Sequence, residues 1–127
     1  MIVAGIGCRR EITADDLEKV VRRALGMFDL PADRLDAVAT ESDKATDPAF
    51  AEVSRRLSAE LVACTVDELE EVGGQVLTRS NRVLEAKGVP SIAEASALVA
   101  AGRNARLLGA RVATMLATCA IARGDGR

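Results

Sequence analysis

A three-layer α/β/α sandwich around a mostly parallel, mixed sheet is the α/β fold that this 127-residue sequence predicts. Three observations point to it. Short apolar runs alternate with segments whose apolar residues recur at helical spacing, the order of successive βα units. Residues 2–6 and 112–122 are almost continuously apolar, as in strands covered on both faces. A helix cap follows each of the first three runs, at Thr13, Asp47 and Thr65.

Residues 2–7, IVAGIG, read as a buried strand. Thr13 caps the helix that follows, and Asp16 at its third position has the spacing of a capping box. Leu17, Val20, Val21, Ala24, Leu25 and Phe28 share one face of that helix, which Pro31 ends. DAVAT, 36–40, is the second strand. The polar stretch ESDKATD leads from it to Asp47, a cap with Pro48 at the first helical position, and Phe50, Val53 and Leu57 turn to the core. ELVAC, 60–64, is the third strand, Thr65 caps its helix with Glu68 three residues on, and Gly73 and Gly74 stop it. One further helix is expected from Ser80 to Lys87, closed by Gly88. Another is capped by Ser91 and runs to Ala101 before Gly102. RLLG at 106–109 and the run 112–122 supply the last strands, making residues 1–123 a single domain, and residues 124–127 are expected to fray.

Composition narrows the chemistry. The chain has no His, Tyr or Trp and two Phe. Aromatic platforms for bases are missing, so no nucleic-acid partner is expected. The usual general base, the usual zinc ligand and any Ser-His or Cys-His pair are missing too, and neither a metal nor a cofactor is implied. Cys8, Cys64 and Cys119 are dispersed, without a CxxC, and read as reduced thiols of a cytoplasmic protein. The positive charges follow the first apolar run, unlike a signal peptide, and VATMLATCAIA at 112–122 is too short to span a bilayer. A net charge of −2 hides a polarity, with 16 acids against 7 bases in residues 11–71 and 8 bases against 3 acids in residues 72–127. Of the 17 basic residues 14 are Arg, the side chain suited to bidentate contact with carboxylate or phosphate.

In an open α/β sheet ligands settle at the carboxyl ends of the strands, here residues 7–13, 40–47 and 64–66. GIGCRR at 5–10 fails as a dinucleotide fingerprint, because Arg10 stands where the third glycine belongs. Gly5 and Gly7 fit close packing and a tight turn as well as they fit a ligand contact. Arg9 and Arg10 precede a helix N-terminus and suit an anion; Cys8 beside them lacks a base. Thr40, Glu41, Asp43 and Lys44 lie at the second strand end, with Lys44 and its carboxylate neighbours the candidate catalytic group. Ser91 and Glu94 fit a cap and its partner, and are also candidates for ligand contact.

GIGCRREIT at 5–13, Lys44 after VAT, GVPSIAEASAL at 88–98 and TCAIAR at 118–123 together resemble the cobalamin-biosynthesis family of CobE and the C-terminal domain of CbiG, in the family's order and over nearly the whole chain. The resemblance implies a part in corrin-ring construction. A precorrin or other corrinoid intermediate is the ligand it implies, and other enzymes of that pathway are possible partners. Its ligand would meet Gly5, Gly7, Cys8, Arg9, Arg10, Thr40, Ser91 and Glu94. CbiG proteins hydrolyse cobalt-precorrin-5A at its lactone, which implies an alternative role as a hydrolase acting through Lys44 with Glu41 or Asp43. The chain has no length for the N-terminal portion of a full CbiG, and Ser42 stands where the family has an acid two residues before its lysine. A phosphometabolite-binding module unrelated to corrins is the remaining alternative.

Overall fold

Residues 1–9, 11–78 and 91–127 are described by the computed structural model of the chain. Its strands are β1 (Ile2–Cys8), β2 (Ala37–Glu41), β3 (Glu60–Cys64), β4 (Arg106–Leu107), β5 (Val112–Ala113) and β6 (Ala117–Arg123). Its α-helices are α1 (Ala14–Met27), α2 (Ser42–Ala45), α3 (Pro48–Leu57), α4 (Val66–Glu71) and α5 (Ile92–Ala101). The helix expected over 80–87 and its closing Gly88 lie outside the described residues.

The sheet runs β3-β2-β1-β6-β4, with β5 also paired to β6. β1, β2 and β3 are parallel, the product of two βα crossovers through α1 and α3. β6 enters between β1 and β4 antiparallel to both, so the sheet is mixed as expected, with its parallel half confined to the first three strands.

Alternation along the strands sends side chains to two different covers. Ala4, Ile6, Val38, Cys119 and Ile121 face α1 and α3, where Leu17, Val20, Val21, Leu25, Phe50 and Val53 complete a core of large aliphatic groups. Val3, Ala37, Ala39, Ala120 and Ala122 face α5 and α4, where the partners are mostly alanine. The difference follows from Gly5: a Cβ there would stand 2.1 Å from the Ala93 carbonyl oxygen and 2.5 Å from the Ala97 amide nitrogen. Helix α5 therefore rests its backbone directly on β1, and only small side chains fit between them. Three layers result.

The caps act as the sequence predicts. The side chains of Thr13, Asp47, Thr65 and Ser91 accept backbone N–H groups of Asp16, Ala49, Glu68 and Glu94. One expectation needs correction. The apolar run 112–122 is a hairpin, because the Thr114 N–H donates to the Ala117 carbonyl at 2.8 Å and the Thr114 hydroxyl oxygen accepts the Ala117 N–H at 3.2 Å, closing a turn inside the run. At residues 124–127, Gly124 N–H donates to the Met1 carbonyl, Gly126 N–H to that of Ala101, and Arg127 pairs with Glu68. Among the described residues no helix is long and apolar enough to cross a membrane.

Candidate functional site

The carboxyl ends of β1, β2 and β3 meet at one end of the sheet, where Glu41 is level with Cys64. The parallel register aligns Gly5 with Ala39, and the buried Thr40 hydroxyl donates to the Ile6 carbonyl at 2.8 Å, tying β2 to β1. Antiparallel β6 brings Thr118 beside Gly7 and Ala117 beside Cys8, so the β5–β6 hairpin reaches the same end. The start of α5 closes it from above, with the Ala93 amide nitrogen 3.6 Å from where a Gly7 Cβ would be. Thus the loops picked out from the sequence do share one edge, and the hairpin and α5 join them there.

Four of the expected ligand contacts have structural work. Gly5 is buried beneath α5, where no ligand atom has access. Thr40 joins two strands. Ser91 is buried and caps α5. Glu94 is fully buried, and its carboxylate accepts the N–H groups of Leu77 and Thr78 at 2.7 Å, the Thr78 hydroxyl at 2.7 Å and the Arg111 N–H at 2.8 Å. A carboxylate surrounded this way is a fixed joint between α5, the segment at 77–78 and the start of the hairpin.

The remaining candidates stand nearer the surface. Gly7 and Cys8 are half-buried, Arg9 is exposed, and Arg10 lies outside the described residues. The Cys8 thiol is pushed up by burial, opposed by the Lys44 charge and reinforced by Asp47, which also places Lys44 and Asp47 within electrostatic reach of Cys8. Burial likewise pushes Cys64 up to about 11 and raises Cys119 further. All three thiols stay protonated near neutral pH, which makes them poor nucleophiles. Lys44 is half-buried on the single turn α2, with Asp43 exposed before it and Glu41 buried at the end of β2. Ser42 donates its hydroxyl to the Cys64 carbonyl at 2.9 Å and so joins β2 to β3.

One feature escaped the sequence reading. Met115 and Leu116 at the hairpin tip are 91 % and 45 % exposed, and Leu77, next to the Glu94 joint, is 60 % exposed. The Arg9 N–H donates to the Leu116 carbonyl at 3.3 Å, so the cationic loop after β1 and the apolar tip are neighbours. An apolar rim therefore adjoins a basic one. Read as strand, the run 112–122 concealed this; the signal available was Thr114, a residue able to close a turn with its own side chain. Among the described residues no group of three or more His, Cys, Asp or Glu side chains is placed to hold a metal ion.

A family model described as "Cobalamin synthesis G C-terminus" matches residues 2–122. A Sinorhizobium protein named Protein CobE is 28% identical over 121 residues, covering 95% of this chain and 79% of its own length. The crystal structure of CobE, described as a protein from the cobalamin (vitamin B12) biosynthetic pathway, superposes with a TM-score of 0.92 at 31% identity, covering 100% of this chain and 92% of the other. The crystal structure of cobalamin biosynthesis protein chiG from Agrobacterium tumefaciens superposes with a TM-score of 0.77 at 37% identity, covering 98% and 99% of the two chains.

Proposed function

Since the chain belongs to the cobalamin synthesis G C-terminus family and is a protein of cobalamin biosynthesis, we propose that it binds a precorrin or related corrinoid intermediate at the carboxyl end of β1–β3. The observation that carries this reading is the bond from Arg9 to Leu116, which sets a basic loop against an exposed apolar tip. A corrin precursor has the complementary character: an apolar macrocycle face and a rim of acetate and propionate carboxylates. Met115, Leu116 and Leu77 offer aliphatic surface to the ring, while Arg9 and Lys44 offer cations to its rim. Sheltered charge-assisted contacts of this kind contribute about 1.5–3 kcal/mol each, and exposed ones much less.

Absorbance titration with purified corrin-ring intermediates tests the proposal. Saturable spectral change is expected, weakened at least about tenfold by combining Arg9→Ala with Lys44→Ala, which corresponds to about 1.4 kcal/mol. No saturable change with any intermediate would overturn it. The half-buried position of Lys44, directly after Asp43 and three residues after Glu41, favours a second reading, hydrolysis of a lactone-bearing intermediate. Loss of the lactone on incubation, abolished by Lys44→Ala while binding persists, would establish that reading.

A further inference from the structure

The end of the sheet opposite the candidate site carries a different kind of surface. Arg106 on β4 and Arg123 on β6 are direct cross-strand partners. Residues so paired present their side chains on one face with Cβ atoms about 4.5–5.5 Å apart, and two like charges there repel. Arg34, in the turn between α1 and β2, lines the same open cleft, whose volume is about 650 Å³. All three arginines are exposed, and none of their guanidinium groups has an ion pair or hydrogen bond to another described residue. Four other described arginines are paired: Arg22, Arg55, Arg56 and Arg127 each hold a carboxylate.

Carboxylates share the cleft, but none forms an ion pair with these cations. Asp36 accepts the Ile2 N–H at 2.7 Å, and Asp125 accepts the Asn104 amide at 2.6 Å, so both are engaged by neutral donors. Asp33 stands beside Arg34 on the same turn. The broad field of the cleft is therefore mixed, and attraction is local to the guanidinium groups. Their planar forks match the geometry of phosphate or carboxylate oxygens, and a ligand with two negative charges would relieve the repulsion between Arg106 and Arg123.

We propose that Arg34, Arg106 and Arg123 form a second site, separate from the corrinoid edge, for a compact oxyanion with two or more negative charges, a phosphate ester or a small polycarboxylate. Calorimetric titration of the full chain at low salt with pyrophosphate, and separately with citrate, tests it and distinguishes the two sources. Saturable binding of at least one probe is expected, weakened tenfold or more by Arg106→Gln with Arg123→Gln and unchanged by Arg23→Gln on the exposed side of α1. The double variant should melt at the same temperature as the parent or higher, because a like-charge pair has been removed; the single variant Arg34→Gln, on a turn, gives an independent reading of affinity. Amide shifts on adding the probe should gather at residues 34, 106 and 123 and spare residues 9 and 118. Failure of both probes to saturate, equal weakening by Arg23→Gln, or shifts centred on Arg9 and Thr118 would overturn the proposal. The last outcome would place the anion at the corrinoid edge.

Discussion

Arg111 donates its backbone N–H to Glu94 at 2.8 Å, so a wholly buried carboxylate on α5 holds the first residue of the segment that leads into the β5–β6 hairpin. The other oxygen of that carboxylate takes two amides from residues 77 and 78. Leu77 and the start of the hairpin that carries Met115 and Leu116 are thus both tied to one helix by one side chain. Changing Glu94 to Gln leaves an NH₂ group facing at least one N–H donor. The expected loss is about 1–3 kcal/mol in urea denaturation, with faster hydrogen exchange at Arg111. Unchanged exchange there would show that the joint is not what holds the hairpin.

Gly5 and Gly26 make opposite predictions for the same substitution. Gly5→Ala would drive a methyl into the Ala93 carbonyl and the Ala97 amide, forcing α5 off the sheet, and should cost about 3 kcal/mol or more. Gly26 lies near the end of α1 with nothing within 4 Å of a built Cβ, so Gly26→Ala should stabilise by about 0.5–1 kcal/mol. Thermal melts of the two variants decide both signs.

On the outer surface, Arg55 and then Arg56 hold the Glu52 carboxyl down at about 2, from an ordinary value of 4.5. A carboxyl depressed on folding contributes stability that is complete above the unfolded value and disappears as pH falls through the folded one. The difference in melting temperature between the parent and Glu52→Gln should therefore be constant above about pH 5, shrink below pH 4.5 and vanish only below about pH 2. A difference independent of pH would mean that the pair contributes through packing.

The thiols give a kinetic test. With all three raised by burial, reaction with a thiol reagent at pH 7.5 should be slow, with half-buried Cys8 modified first and Cys119 only after unfolding. Lys44→Ala should slow Cys8 further, since the lysine charge favours its thiolate.

What could be read from the sequence was what is local. Caps at Thr13, Asp47, Thr65 and Ser91 depend on neighbours two or three residues away, and each holds in the structure. The strand ends followed from apolar runs and proved to share an edge. Gly5 could not be assigned, because its requirement comes from Ala93 and Ala97, far along the chain. Glu94 looked like a capping partner or a ligand contact; its N–H is capped by Ser91, but three of the four donors to its carboxylate are backbone amides, which no side-chain pattern marks. The turn at 114–116 was hidden because apolar Met115 and Leu116 occupy its tip. The backbone bonds from GDGR to Met1 and Ala101 need no particular side chain and so leave no mark in the sequence.

The pairing of β1 with β6, from Ile2 opposite Arg123 to Cys8 opposite Ala117, sets the order in which the molecule can be made. The central seam of the sheet joins the first strand of the domain to the last. During synthesis β1, α1, β2 and α3 emerge early and can cover one face, while the edge of β1 waits with its backbone groups unpaired for more than a hundred residues. Contacts of such long sequence separation are slow to form, and an open apolar edge is open to pairing with another chain. A nascent or truncated chain ending before Ala117 should therefore aggregate rather than fold, and refolding of the full chain should be limited by the arrival of its last strand.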